Sequence, residues 1–105
     1  MTKFRVPKSV KIGACRYAIR LPPENRARAL RGEILIMTHV INLDPDLPRT
    51  WPSTLLHEIQ HALEDQLGLD FDESTTTRVA WGWAGVIADN PGLFRALADA
   101  LGGDR

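Results

Sequence analysis

Several features that would assign a protein to a special class are scarce in this chain. Its 105 residues include one cysteine, Cys15, which excludes an internal disulfide and is typical of a reducing compartment. The 13 Lys and Arg residues balance the 13 Asp and Glu residues, so neither nucleic acid nor an anionic membrane is indicated. No run approaches the ~18 apolar residues of a membrane span, and residues 1–8 lack a signal-peptide core. We therefore expect one cytoplasmic domain over 1–105, with no nucleic acid and no membrane among its partners.

The hydrophobic pattern changes from strand-like to helix-like near residue 48. Before that point two hairpins are predicted, 10–12 with 15–21 around Gly13, and 33–37 with 40–43 joined near His39. Pro22-Pro23 interrupts the alternation, and the stretch up to Gly32 is predicted to be a loop or a short helical turn. Strands followed by helices predict an α+β fold, with a small antiparallel N-terminal sheet.

Three helices are predicted in the second half of the chain. The first covers about 51–67 and ends at Gly68, a residue that favours helix termination. The second begins after Asp72, a suitable N-cap, and continues to about 89. The third begins at Pro91, since proline is favourable at the first helical position, and ends at Gly102-Gly103.

The most informative motif is an uninterrupted His57-Glu58-x-x-His61 inside the first predicted helix. Residues four apart lie on the same face of a helix, with Cβ atoms roughly 5–6 Å apart. This spacing lets two imidazoles bind one tetrahedral Zn²⁺. Glu58 lies beside them, where it can accept a proton from an attacking water. The sequence therefore predicts a zinc site with a general base.

The faces of this helix agree with a site, although they do not require one. With a turn of about 100° per residue, both histidines fall away from the apolar arc and Glu58 falls at its border. The alternative interpretation is an ordinary surface helix with two solvated histidines and a solvated glutamate. Glu64 and Asp65 share the histidine side, where either could orient an imidazole, although a solvated face explains them as well.

A zinc site needs a third protein ligand, and no histidine follows His61. Glu73 is the leading candidate, because it lies in the first turn of the second predicted helix on the side that packs inward. Its alternative role is a favourable charge on the helix dipole. Asp72 and His39 remain possible ligands, although capping explains Asp72 and a solvated hairpin turn explains His39.

Other side chains with possible roles are more simply explained by structure. Tyr17 is predicted to be a strand residue with its hydroxyl at the rim of the site, and it is a weak candidate for an oxyanion donor. The three tryptophans are predicted to lie in the core more readily than on a substrate surface; they are Trp51, Trp81 and Trp83.

The motif and its surroundings resemble the gluzincins, zinc peptidases of the thermolysin type, and in particular the minimal gluzincin-like proteins common in phage and prophage genomes. The resemblance is carried by His57-Glu58-x-x-His61 followed by Glu73 on the next helix. It extends to Gly32-Glu33-Ile34, to Ile41-Asn42-Leu43-Asp44 and to Asp89-Asn90-Pro91. It implies a zincin-like fold in which His57, His61 and Glu73 bind zinc and Glu58 is the base.

These observations lead to a zinc-dependent metallohydrolase, most simply a peptidase acting on a peptide or protein substrate. The strand predicted at 33–37 could hold an extended peptide by edge addition. A second hypothesis is a catalytically silent zinc-binding module used in phage assembly or partner binding, and a third is an interaction domain without metal. The substrate, the oxyanion-stabilising residue and the oligomeric state are left open by the sequence.

Overall fold

The computed structural model describes residues 6–22, 32–45 and 49–103, and it shows a four-stranded sheet followed by three helices. The predicted α+β class is thereby confirmed. The predicted loop or helical turn before Gly32 falls almost wholly outside the described residues. The elements are β1 (Ser9–Ile12), β2 (Cys15–Arg20), β3 (Gly32–Leu35), β4 (Val40–Leu43), α1 (Trp51–Leu67), α2 (Glu73–Asp89) and α3 (Pro91–Gly103).

The sheet is mixed, so the prediction of an antiparallel sheet is wrong at one pairing. Both predicted hairpins are present, β1 with β2 and β3 with β4, but the strand order is β1-β2-β4-β3 and β2 pairs with β4 in parallel. The reason lies in the side chains, since Ile41 and Leu43 of β4 are completely buried whereas β3 carries Glu33. The more apolar strand takes the central position, and β3 becomes an edge strand of the described sheet.

The turn of the second hairpin is longer than predicted. β3 ends at Leu35, two residues before the predicted end, and residues 36–39 form the turn. Met37 is almost fully exposed, and His39 adopts a left-handed φ of 57°. A turn of this shape places the side chain of His39 in solvent, as the sequence indicated, with its ring against Tyr17 at a centroid distance of 5.1 Å.

The core lies between the sheet and one face of α1. Leu55 and Ala62 of this helix are buried, as their positions in the predicted apolar arc required. Leu67, at the end of the same arc, is instead exposed. The buried strand residues that complete this core are Ile12, Tyr17, Ile19, Ile41 and Leu43.

The ends of α1 and α2 follow from local sequence. Gly68 takes a left-handed φ of 68°, and the backbone N–H groups of Gly68 and Leu69 donate to the carbonyls of Asp65 and Glu64. Asp72 caps α2 by accepting from the backbone N–H of Thr75 at 2.7 Å. The link between the helices is therefore short, and the first turn of α2 begins beside the middle of α1.

The third helix has a different environment. Among the described elements, α3 packs only against α2. Within residues 6–22, 32–45 and 49–103, no helix combines the length and the apolar character that crossing a bilayer would require.

Candidate metal centre

An open cleft of about 670 Å³ runs between β3, α1 and α2. β3 can lie close to α1 because Gly32 has no side chain; a Cβ there would meet the Thr54 methyl at 2.5 Å. The residues that line the cleft are Gly32, Glu33, Ile34, Thr50, Ser53, Thr54, His57, Glu58, His61, Glu73, Thr77 and Trp81. The predicted motif thus lies in the wall of a cleft rather than on a convex surface.

Three of the lining side chains converge on one point. His57 Nε2 lies 3.0 Å from His61 Nε2 and 2.5 Å from Glu73 Oε1, and His61 Nε2 lies 3.2 Å from Glu73 Oε2. The two histidines are on successive turns of α1, and Glu73 is the first residue of α2. Their potential ligand atoms all lie within 4.8 Å of one another. The structure therefore brings together the three residues that the sequence singled out as ligands.

The outer nitrogens of both imidazoles face acceptors. His61 Nδ1 lies 3.4 Å from Glu64 Oε1, while the hydroxyl of Thr76 donates to Glu64 Oε2 at 2.8 Å. His57 Nδ1 lies 3.5 Å from Thr77 Oγ1. With its proton on Nδ1, each ring directs the lone pair of Nε2 towards the other two side chains. Contacts of this kind fix the tautomer that a metal-ligating histidine uses.

The donor set fits a divalent cation of the zinc type. A tetrahedral ion with bonds of about 2.0–2.1 Å has ligand atoms about 3.3–3.4 Å apart. The two separations from His61 Nε2, 3.0 and 3.2 Å, are close to this spacing, whereas His57 Nε2 and Glu73 Oε1, 2.5 Å apart, would have to separate to admit the ion. If both rings carry their protons on Nδ1, two nitrogen lone pairs and a carboxylate face one another with no proton between them. A cation at this point would relieve that repulsion. Two imidazoles and one carboxylate are also a ligand set that zinc prefers.

Glu58 lies beside this cluster but is not part of it. Glu58 is buried, although it contributes to the lining of the cleft. Burial raises the pKa of Glu58 from 4.5 to about 7; the charge of His61 lowers it, and the charges of Glu73 and Glu33 raise it. A carboxyl with a pKa near neutrality can both accept and release a proton at physiological pH.

The other candidate ligands lie elsewhere. Asp72 is occupied as the N-cap of α2, and the hydrogen bonds from Thr75 lower the pKa of its carboxyl. In the part of the chain that the structure describes, His57, His61 and Glu73 form the metal-competent group, without His39 or Asp72. Tyr17 is buried in the core away from the cleft, so the prediction that its hydroxyl lies at the rim is wrong. Tyr17 belongs instead to the core cluster that includes Leu55 and Ala62 of α1.

Two of the three tryptophans were also predicted wrongly. Trp51 packs against the core as expected, whereas Trp81 and Trp83 are 63% and 52% exposed. The inward face of α2 is instead formed by small residues, with Thr76 and Ala80 buried against α1. Small side chains let the two helices approach closely, and the tryptophans are left at the edges of that contact. Trp81 consequently forms part of the cleft wall.

Two polar residues, Glu64 and Glu33, have contacts in the site that were not predicted from the sequence. Glu64 was more simply explained as solvated, yet it is buried and held by Thr76. The signal that could have identified it is its spacing, since a residue three after His61 lies on the same side of the helix. Glu33 was considered only as part of a strand, yet it lines the cleft and accepts from the Asn42 amide at 2.9 Å.

Comparison of the chain with known protein families, with curated proteins and with solved structures found no match. The function is therefore inferred from the residues of the cleft and their arrangement.

Proposed function

We propose that this chain is a zinc-dependent metallohydrolase, and most simply a peptidase of the gluzincin type. The observation that carries the proposal is the convergence of His57, His61 and Glu73, with a buried Glu58 in the same cleft wall. A structural metal site has no need of an additional proton-transferring carboxyl at its side. The His57-Glu58-x-x-His61 spacing and the gluzincin resemblance agree with this interpretation.

The three ligands would hold zinc at the cleft surface, with His61 oriented by Glu64 and His57 by Thr77. When bound, the ion would lower the pKa of a coordinated water and polarise a carbonyl group. Glu58 would accept a proton from the attacking water and deliver it to the leaving amine. Burial favours this role, because a carboxylate whose pKa is raised towards 7 is a stronger base for the attacking water than an ordinary glutamate.

The shape of the cleft suits an extended chain. β3 borders the cleft as an edge strand of the described sheet, and its backbone groups could pair with a peptide in the manner of an added strand. Trp81 forms the facing wall on α2, where its exposed ring offers an apolar surface to a substrate side chain. A peptide or an unfolded protein segment is the substrate class that these two walls favour.

One observation favours a second candidate, a catalytically silent zinc-binding module that acts in partner binding, for example in phage assembly. Among the described residues that line the cleft, none is a tyrosine, lysine or arginine, and both histidines are ligands. An oxyanion developing on a substrate carbonyl would thus be stabilised by the metal and by neutral donors such as Ser53 or Thr54. A module that only binds zinc would have no requirement for an oxyanion donor.

The metal-binding part of the proposal is tested by titration of the metal-free protein with zinc. We expect one zinc per chain and a rise in melting temperature, since a ligand bound only by the folded state stabilises it. His57→Ala or His61→Ala should abolish binding, and Glu73→Gln should weaken it far more than Asp65→Asn, an exposed control on α1. Undiminished binding in the His57→Ala/His61→Ala double variant would contradict the assigned site.

A further inference from the structure

The third helix presents an apolar face that nothing in the described structure covers. Of residues 91–102, only Phe94 is partly buried, and its ring packs edge-on against Trp83 at a centroid distance of 6.3 Å. An isolated helix of 13 residues is marginal in water, and helices of this length normally depend on burying an apolar face. α3 therefore gains little stability from the contacts that it makes within one copy of the chain.

The exposed leucines of α3 form one straight stripe. Leu93, Leu97 and Leu101 follow one another at every fourth residue and are 51%, 44% and 69% exposed. At about 100° per residue they fall within about 40° of Leu97 on either side. Arg95 and Asp99, the charged residues of α3, lie about 160° from Leu97 on the opposite face. The helix is amphipathic, with its apolar side turned to solvent.

This stripe continues onto α2. Trp83, whose ring contacts Phe94 of α3, and Val86 are exposed there, and an apolar groove of about 210 Å³ lies beside Trp83 between α1 and α2. The exposed parts of these two side chains and of the three leucines sum to roughly 500 Å². A soluble monomer rarely exposes more than a few hundred square ångströms of contiguous apolar surface. A stable interface buries about 800 Å² on each partner, which this face and its rim can supply.

The pattern of the stripe indicates what covers it. Leu93 and Leu101 are equally spaced about Leu97, so the stripe has the same spacing when read in the opposite direction. A two-fold axis through Leu97 would therefore place each Leu93 against the partner's Leu101 and the two Leu97 residues against each other. An interface of this kind must be complementary to itself. The charged side chains of α3 would remain in solvent, and a formal net charge of zero imposes no repulsion between copies.

We propose that the chain forms a two-fold dimer in which α3 of one copy packs antiparallel against α3 of the other, with Trp83 and Val86 of α2 at the edge of the contact. Rows of residues four apart on both helices interdigitate in the commonest class of helix packing, which matches the Leu93-Leu97-Leu101 row. The dimer does not depend on zinc, so it stands apart from the proposed hydrolase activity.

The oligomeric state of the whole chain tests this proposal. Analytical ultracentrifugation from low to several hundred micromolar should show a reversible dimer of wild type. Leu97→Glu places two carboxylates across the two-fold axis and should yield a monomer at every concentration. Arg95→Glu introduces a carboxylate on the opposite face of the same helix and should leave the dimer intact. A monomeric wild type, or equal dissociation of both variants, would overturn the proposal.

A cross-linking experiment covers the case in which Leu97→Glu does not fold. In a Cys15→Ser background, Leu97→Cys should form a disulfide-linked dimer under mild oxidation, because the two side chains meet on the axis. Arg95→Cys in the same background should remain uncrosslinked. Absence of the cross-link at position 97, or equal cross-linking at 95 and 97, would show that α3 does not form this contact.

Discussion

At the scale of single residues, the candidate site depends on two buried glutamates with different surroundings. Glu64 accepts from the Thr76 hydroxyl and faces the outer nitrogen of His61. Glu58 is buried with its carboxyl on the cleft, and its pKa is raised to about 7. In the proposed function, Glu64 would orient a metal ligand and Glu58 would exchange a proton.

The proposed orienting role of Glu64 predicts a specific loss of zinc affinity. Glu64→Gln removes the charge that favours a proton on His61 Nδ1, so zinc affinity should fall roughly 10-fold or more. Asp65→Asn changes the next residue on the exposed side of α1 and should have little effect. Competition with a chelator of known affinity would measure both. Equal affinities for Glu64→Gln and Asp65→Asn would remove Glu64 from the site.

The raised pKa of Glu58 predicts a pH dependence of stability in the metal-free protein. Between the ordinary 4.5 and about 7, the folded state holds a proton that the unfolded chain releases. The contribution of Glu58 to the free energy of unfolding should therefore be highest below pH 4.5. It should fall as the pH rises through 7, by about 3 kcal/mol at most. Glu58→Gln should lack this component.

Urea unfolding with a chelator present, at pH 5 and pH 8, measures this difference. The stability of Glu58→Gln relative to wild type should be greater at pH 8 than at pH 5. The other titrating groups are common to both proteins, so the comparison isolates Glu58. A constant difference at the two pH values would mean that Glu58 has no raised pKa.

The metal-binding motif could be predicted from the local sequence, whereas the residues that surround it in the fold could not. The i and i+4 histidines and the glutamate between them are a local pattern, and a helix fixes their relation whatever the rest of the chain does. Tyr17, Glu64 and Trp81 were misjudged because their environments depend on which surfaces α2 and the sheet cover. Burial of one side chain is set by partners distant in sequence.

At the scale of elements, helix ends were well predicted and the sheet was predicted in part. Gly68, Asp72 and Pro91 act through their own backbone or through groups within three residues, so their effects can be inferred locally. The parallel pairing of β2 with β4 joins residues 22 positions apart in the sequence, such as Ala18 and Val40. The sequence of either hairpin alone does not indicate which of its two strands will take a central position in the sheet.

Two glycines allow the contact between the first hairpin and α1 to be tested. Gly13 and Gly68 have nearly the same left-handed φ, 61° and 68°, but a Cβ would meet Gln66 Oε1 only at Gly13, while Gly68 has open space. Gln66 also donates to the carbonyl of Ile12 at 2.8 Å. Gly68→Ala should cost about 1–2 kcal/mol of stability from backbone strain alone.

Gly13→Ala should lower the free energy of unfolding by about 0.5–1.5 kcal/mol more than Gly68→Ala does, because Gln66 must move and its hydrogen bond to Ile12 is lost. Chemical denaturation of the two variants provides the measurement. In a Gln66→Ala background the two substitutions should become similar. If the two glycine substitutions were equally destabilising in a chain that retains Gln66, the contact between Gln66 and the hairpin would not stabilise the fold.

At the scale of the whole molecule, α1 is the element on which the others depend. One of its faces closes the core against the sheet, and another carries Glu58 and the histidines into the cleft. α2 adds Glu73 and Thr77 from the far side, so the potential metal ligands come from both helices. Metal binding would therefore stabilise the contact between α2 and α1. Removal of the metal should weaken this contact but leave the core between the sheet and α1 intact.

The central claim is that the cleft combines zinc binding with proton transfer by Glu58. Its most direct test compares zinc-loaded wild type with zinc-loaded Glu58→Gln on a broad library of unstructured peptides, with the metal content of both measured. We expect wild type to cleave peptides, and we expect Glu58→Gln to retain zinc and fold but to be slower by about 10²–10⁴-fold. Zinc-loaded wild type that cleaves none of the library, or cleavage by Glu58→Gln at the wild-type rate, would contradict the account.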